Sequence, residues 1–209
     1  MTSAAKLLVI SGISLSFLTA CGKGAEGAGS RGAAEPMLEP LAPAAWADAA
    51  AGFVAPDGSD TGYVVLTNAP GAGVLMRVDL KSLTQGWHGI HLHNVGDCSD
   101  GSDGFKASGG HVDPENRDHG LLNPNGPERA DIPNIYADAD GRATAEIFNS
   151  AVALYASEEA AAAAGPHPLM DEDGFAIVVH ANVDDHKTQP IGGAGPRVAC
   201  AAIAGTGSS

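Results

Sequence analysis

The chain has 209 residues, a formal net charge of −14, 5% aromatic residues, 28 glycines and 13 prolines. That length admits one ordinary domain together with an export segment and a linker. The acidity argues against nucleic acid as a partner, because no basic patch is present to neutralise phosphates, and against electrostatic attraction to an anionic membrane. So much glycine suits short strands joined by turns better than a helical bundle, whose interior tolerates little of it.

In chain order, Lys6 precedes an apolar run from Leu7 to Ala20. The run is short for a bilayer span and suits the core of a signal peptide. It ends in Leu18-Thr19-Ala20-Cys21, which resembles the bacterial lipobox. The resemblance implies an exported, periplasmic or cell-surface lipoprotein whose signal occupies residues 1–21, with Cys21 lipidated and the membrane contacted only through that lipid. Residues 22–45 are rich in Gly, Ala, Pro and Glu without usable periodicity and read as a flexible tether. A folded domain is expected over 46–205. With Cys21 assigned to the lipid, Cys98 and Cys200 remain in an oxidising compartment. A disulfide between them closes a loop of about one hundred residues, worth roughly 4–5 kcal/mol in the chain-entropy account.

From Trp46 onward the pattern is short strands and turns. Tyr63 to Thr67 is a compact apolar run closed by Asn68-Ala69-Pro70-Gly71. Val74, Met76, Val78 and Leu80 alternate with Leu75, Arg77, Asp79 and Lys81, and Ala143, Ala145 and Ile147 with Arg142, Thr144 and Glu146. Ala176 to His180 and Val198 to Ile203 are further strands. Ser157 to Ala164, two Glu followed by five Ala, is a strong local helix former and reads as a short helical insertion. The long stretches Asn94 to Ile132 and Ala181 to Pro196 are loops of a length that is usually functional or disordered. Their histidines favour function.

Five segments carry chemistry. In His88-Gly89-Ile90-His91-Leu92-His93, strand geometry sends His91 and His93 to one side and Ile90 and Leu92 into the core, so two imidazoles stand as paired metal ligands. His88 shares the core side and is read as a structural hydrogen-bonding residue. The others are Gly109-Gly110-His111-Val112-Asp113-Pro114 followed by His119-Gly120; Glu128-Arg129-Ala130-Asp131; His180 followed by Asp184; and Gly192-Gly193-Ala194-Gly195-Pro196-Arg197-Val198-Ala199-Cys200.

Together, from about Trp46 to Ile203, these segments resemble the exported bacterial branch of the copper–zinc superoxide dismutase family. The resemblance implies an all-β fold, an eight-stranded antiparallel Greek-key sandwich or flattened barrel with long metal-binding and electrostatic loops. It implies copper ligation by His91, His93, His111 and His180, and zinc ligation by His111, His119 and Asp131, with His111 bridging the two metals. Asp184 would link ligands of the two sites, and Cys98 and Cys200 occupy the family's disulfide positions. The implied reaction is dismutation of the superoxide anion to oxygen and hydrogen peroxide by copper redox cycling, with His111 supplying a proton and Arg197 guiding the anion. Imidazole suits both metals, and a carboxylate such as Asp131 fits a closed zinc site.

There are departures. Where the family has a third zinc histidine, three residues before the zinc aspartate, this chain has Glu128. Either Glu128 ligates zinc through oxygen, an accepted ligand at about 2.0–2.2 Å, or the zinc site is broken and the enzyme is copper-only. The loop after His180 is short, and Lys187 is the candidate for its missing guidance cluster. A non-enzymatic copper-binding module on the same fold is the other alternative. Monomer and homodimer are both open, since no interface is legible.

Overall fold

The computed structural model describes residues 47–69, 72–156 and 165–207. The expected signal, Cys21, the tether and the helical insertion at 157–164 lie outside the described residues. Eleven strands are described: β1 Ala49–Val54, β2 Asp60–Ala69, β3 Gly73–Leu80, β4 Gly86–His88, β5 Ile90–His93, β6 Ile135–Ala137, β7 Ala143–Asn149, β8 Val152–Ala153, β9 His167–Pro168, β10 Phe175–His180 and β11 Arg197–Ile203. Seven form one curled antiparallel sheet in the order β5-β10-β11-β1-β2-β3-β7, while β4 pairs with β6. The strands β4 and β5 are halves of one strand interrupted at Gly89, and with them counted once the expected eight strands are present. The two-residue β8–β9 ladder is parallel and additional to that plan.

Alternation builds the core as the sequence expects. On β3, Val74, Met76, Val78 and Leu80 are buried, whereas Leu75, Arg77 and Asp79 are only partly covered. They join Phe53, Leu66, Ile90, Leu92, Phe175, Ile177 and Val179 in the main cluster. The strand β10 has no polar side before His180 because both of its faces are covered. Ile177 and Val179 face the main core, and Ala176 and Val178 pack with Phe105 and Cys200 in a second cluster. That second cluster fixes the long loop after β5 to the sheet.

A disulfide reinforces this attachment. Cys98 is bonded to Cys200 across a sequence separation of 102 residues, so the loop after β5 is fastened to the same strand that carries Arg197. Replacing both cysteines by Ser should lower the unfolding free energy by about 2–5 kcal/mol. Denaturant unfolding of the pair under oxidising conditions checks this; an unchanged midpoint would show that the Phe105 cluster and the bridges along β5 hold the loop without it.

Candidate metal centre

Strand register assembles the site. In the β5–β10 pair, His91 lies opposite Val178 and His93 opposite Ala176. At the end of β10 the pairing with β11 shifts between Val179 and His180, placing His180 opposite Arg197. Alternation puts His180 on the face of Ala176 and Val178, which is also the face of His91 and His93. Isolated bridges His93↔His111 and His91↔Asp131 then lay the long loop along the free edge of β5. Gly89 allows the second loop to close in: a β-carbon there would stand 2.9 Å from Ala194 Cβ and 3.3 Å from Asp184 Cβ.

The histidines converge beneath these loops. His91, His93, His119 and His180 are each at most 1% exposed. Ring centres of His91 and His111 are 4.4 Å apart, those of His91 and His180 5.0 Å, and those of His93 and His111 5.2 Å. One nitrogen of each outer ring is held from behind. His93 Nδ1 donates to Gly109 O at 3.0 Å, His180 Nδ1 to Gly195 O at 2.9 Å, and His91 Nε2 to Asp184 Oδ2 at 3.0 Å. A carbonyl or carboxylate can only accept, so these nitrogens carry the protons and the opposite ones present lone pairs. Those opposite atoms, His91 Nδ1, His93 Nε2 and His180 Nε2, are buried without a hydrogen-bond partner, as is His111 Nε2. An unsatisfied buried acceptor costs about 1–3 kcal/mol; His91, His111 and His180 bring one nitrogen each within 4.8 Å of one another, and with His93 next to His111 they fit a metal ion that takes imidazole nitrogen, as copper does.

Beside them lies a second donor set of different character. One donor atom each from His111, His119, Glu128 and Asp131 falls within 4.8 Å of all the others. His111 Nδ1 donates to Glu128 Oε2 at 2.5 Å, and His119 Nδ1 stands 2.7 Å from Asp131 Oδ1 and 3.3 Å from Glu128 Oε2. The other oxygen of Asp131 accepts the backbone N–H groups of Gly120 and Glu128 at 2.7 and 2.8 Å, which turns Oδ1 inward. Two imidazoles and two carboxylates are a donor set that zinc accepts. Glu128 therefore stands within the cluster rather than in solvent.

The charges of the metal-free protein show what this pocket is built to hold. Burial opposes a proton on His119, but hydrogen bonds to Asp131, Asp184 and Glu128 outweigh it and raise its pKa to about 11. Burial likewise opposes charge on Glu128, yet His111 and His119 bring it down to about 2. On the other side, burial first and the neighbouring His91 second push His180 down to about 3, and burial holds His93 well below the usual histidine range. One half of the centre attracts a cation through carboxylates; the other keeps its imidazoles neutral, as ligands must be.

Asp184 spans both halves. Its Oδ2 accepts from His91 Nε2 at 3.0 Å and its Oδ1 from His119 Nε2 at 3.2 Å. Burial works against its charge, but these histidines and the His186 N–H keep its carboxyl far below the ordinary range. Arg197 lies at the site's margin: Nη1 donates to Phe105 O at 2.5 Å and Ser108 Oγ at 2.9 Å, and Nη2 to Gly109 O at 2.9 Å. Gly109 O thus serves both Arg197 and His93. His88 stands outside the cluster, with Nδ1 2.7 Å from His180 O and Nε2 2.7 Å from Thr84 O, a structural role as expected. Lys187 is exposed. Sequence reasoning missed the carbonyls that orient the rings and missed His186 and Asn134 beside Asp184. The run Asp184-Asp185-His186 was the one available signal.

A β-sandwich with a four-imidazole pocket and a carboxylate-rich pocket sharing one histidine defines a two-metal protein. The profile of the Copper/zinc superoxide dismutase (SODC) family matches residues 60–203. A Superoxide dismutase [Cu-Zn] of Caulobacter vibrioides is 53% identical over 148 residues, covering 70% of this chain and 80% of the relative. One from Aquifex aeolicus is 38% identical over 133 residues, covering 63% and 72%. Among solved structures, a SOD-like protein from Bacillus subtilis superposes with a TM-score of 0.66 at 27% identity, covering 74% of this chain and 97% of that one. The Cu/Zn superoxide dismutase from Brucella abortus gives 0.55 at 28% identity, covering 74% and 98%. The chain belongs to the copper/zinc superoxide dismutase family.

The metal-free protein should lose stability at both ends of the pH scale. His180 titrates near 3 in the fold against an ordinary 6.5, so between these values the unfolded chain binds the proton that the fold refuses, and stability falls as pH drops. Glu128, ordinarily at 4.5 and held to about 2, adds to the loss in the lower part of that range. His119 works the other way: its contribution is complete below 6.5 and is lost as pH rises toward about 11. Thermal unfolding of metal-stripped protein across pH checks this, with a shallower acid limb expected for His180→Gln.

Proposed function

We propose that the protein is an exported superoxide dismutase, with copper held by His91, His93, His111 and His180 and zinc by His111, His119, Glu128 and Asp131. The four buried, unpartnered imidazole nitrogens carry the copper assignment. Copper held there would supply one-electron exchange between successive superoxide anions. The chain's own residues supply the rest. The lone pairs of His91, His93 and His180 are aimed by proton-bearing partner nitrogens on the far side of each ring. His111 presents Nε2 to the copper side and Nδ1 to the zinc side, and at Nε2 it is positioned to hold and hand over one of the two protons that hydrogen peroxide requires, the other coming from solvent. Arg197 gives the small anion a permanent cation and a planar donor fork. In a protein of net charge −14 that local cation matters more, since the overall field repels the substrate.

The zinc assignment rests on Glu128 lying against both His111 and His119. Two carboxylates give that site one more negative charge than a single aspartate would. For cellular placement, Lys6, the apolar run to Ala20 and the Leu18-Thr19-Ala20-Cys21 sequence support export and lipidation at Cys21. On that reading residues 1–21 are the signal, 22–45 the tether and 46–205 the catalytic domain.

Superoxide consumption by protein loaded with copper and zinc tests the activity; stable copper binding with negligible consumption would leave a copper-binding module. Arg197→Ala should slow the reaction by about tenfold or more and flatten its dependence on ionic strength. Metal analysis tests the zinc side. Glu128→Ala should lose zinc while keeping copper, and Glu128→His should keep both; wild-type protein that takes copper and no zinc would remove Glu128 from the ligand set.

A further inference from the structure

We infer that His186 is a positioning residue of the metal centre, orienting the Asp184 carboxylate that ties His91 to His119. The inference rests on the ligand assignment proposed above. It begins at Asn134. The Asp184 N–H donates to Asn134 Oδ1 at 2.9 Å, which fixes the amide orientation. Asn134 Nδ2 must then be the donor, and it points at Asp184 O at 2.9 Å and at His186 Nε2 at 3.0 Å. Facing a donor, Nε2 presents its lone pair, so the His186 proton sits on Nδ1.

That Nδ1–H is buried, has no straight hydrogen bond, and lies 3.2 Å from Asp184 Oδ2. Oδ2 is the oxygen that accepts from His91. The backbone of the same residue reaches the other oxygen, with His186 N–H donating to Asp184 Oδ1 at 2.6 Å, beside the bond from His119. His186 thus addresses both oxygens, one on the copper side and one on the zinc side.

The local backbone is shaped to make this contact. His186 has φ +60°, a left-handed conformation uncommon outside glycine. It lets the N–H fold back onto Asp184 while the carbonyl points away to accept the Leu122 N–H at 3.1 Å. Leu122 follows His119 and Gly120 in the zinc-side loop, and a β-carbon on Gly120 would run into the His186 carbonyl. One residue therefore fastens the second loop to the first and steers the carboxylate that His91 of β5 and His119 share.

Two substitutions separate the donor from the backbone. His186→Asn places an amide N–H where Nδ1–H stands and tolerates the left-handed conformation. His186→Gly keeps that conformation and removes the donor. Zinc affinity of the folded, disulfide-bonded protein is measured by chelator competition, alongside the visible spectrum of bound Cu(II). The Gly variant should bind zinc about tenfold more weakly and shift the copper spectrum, while the Asn variant should stay close to wild type in both. A Gly variant with wild-type zinc affinity, or an Asn variant as weak as Gly, overturns the inference. His119→Ala is the control: if it too retains wild-type affinity, the zinc assignment itself fails.

Discussion

The site depends on one constraint, that each ligand ring must be held by the nitrogen that does not face the metal. Imidazole offers two nearly equivalent nitrogens, and left free it would rotate or exchange tautomers. Here Gly109 O, Gly195 O and Asp184 Oδ2 occupy the outer nitrogens of His93, His180 and His91. The inner lone pairs are thereby fixed in a common pocket before any ion arrives. Those acceptors belong to the long loops, so loop attachment and metal readiness are one problem. The disulfide, the Phe105 cluster and the bridges along β5 solve it together.

The same acceptors connect the centre to its surroundings. Gly109 O takes hydrogen bonds from both His93 and Arg197, so the backbone that aims the His93 ring also aims the cation at the site's margin. Asp184 does the equivalent work between the two halves of the centre. Its buried charge would be costly alone, and it persists because His91, His119 and His186 all present N–H groups to it.

Electrostatics divides the centre in two. The carboxylate-rich pocket concentrates Glu128, Asp131 and Asp184 around His119, whose imidazolium balances their charge. The four-imidazole pocket excludes protons from His93 and His180 chiefly by burial. His111 stands on the boundary, with its Nδ1 against Glu128 and its Nε2 unpartnered toward the other histidines.

Much of this was legible in the sequence. Alternation on β3 and β7 and the apolar run of β10 announced short strands, since period-two patterning is a local property of strands, while the sandwich was implied by the family resemblance. His-x-His on β5 announced a ligand pair, since i and i+2 share a face. The resemblance to a known family supplied His111, His119, Asp131, His180, Asp184 and Arg197, whose roles no local pattern encodes. Tertiary structure alone decided the rest. Glu128 became a member of the cluster only when its loop folded against His111 and His119, and His180 came beside His91 only when β10 paired with β5. His186 and Asn134 reach Asp184 across 50 residues of chain in one case and through a left-handed turn in the other. Strand periodicity is written in neighbours, whereas the partners of a buried polar atom are set by which loops the whole chain brings to the same place.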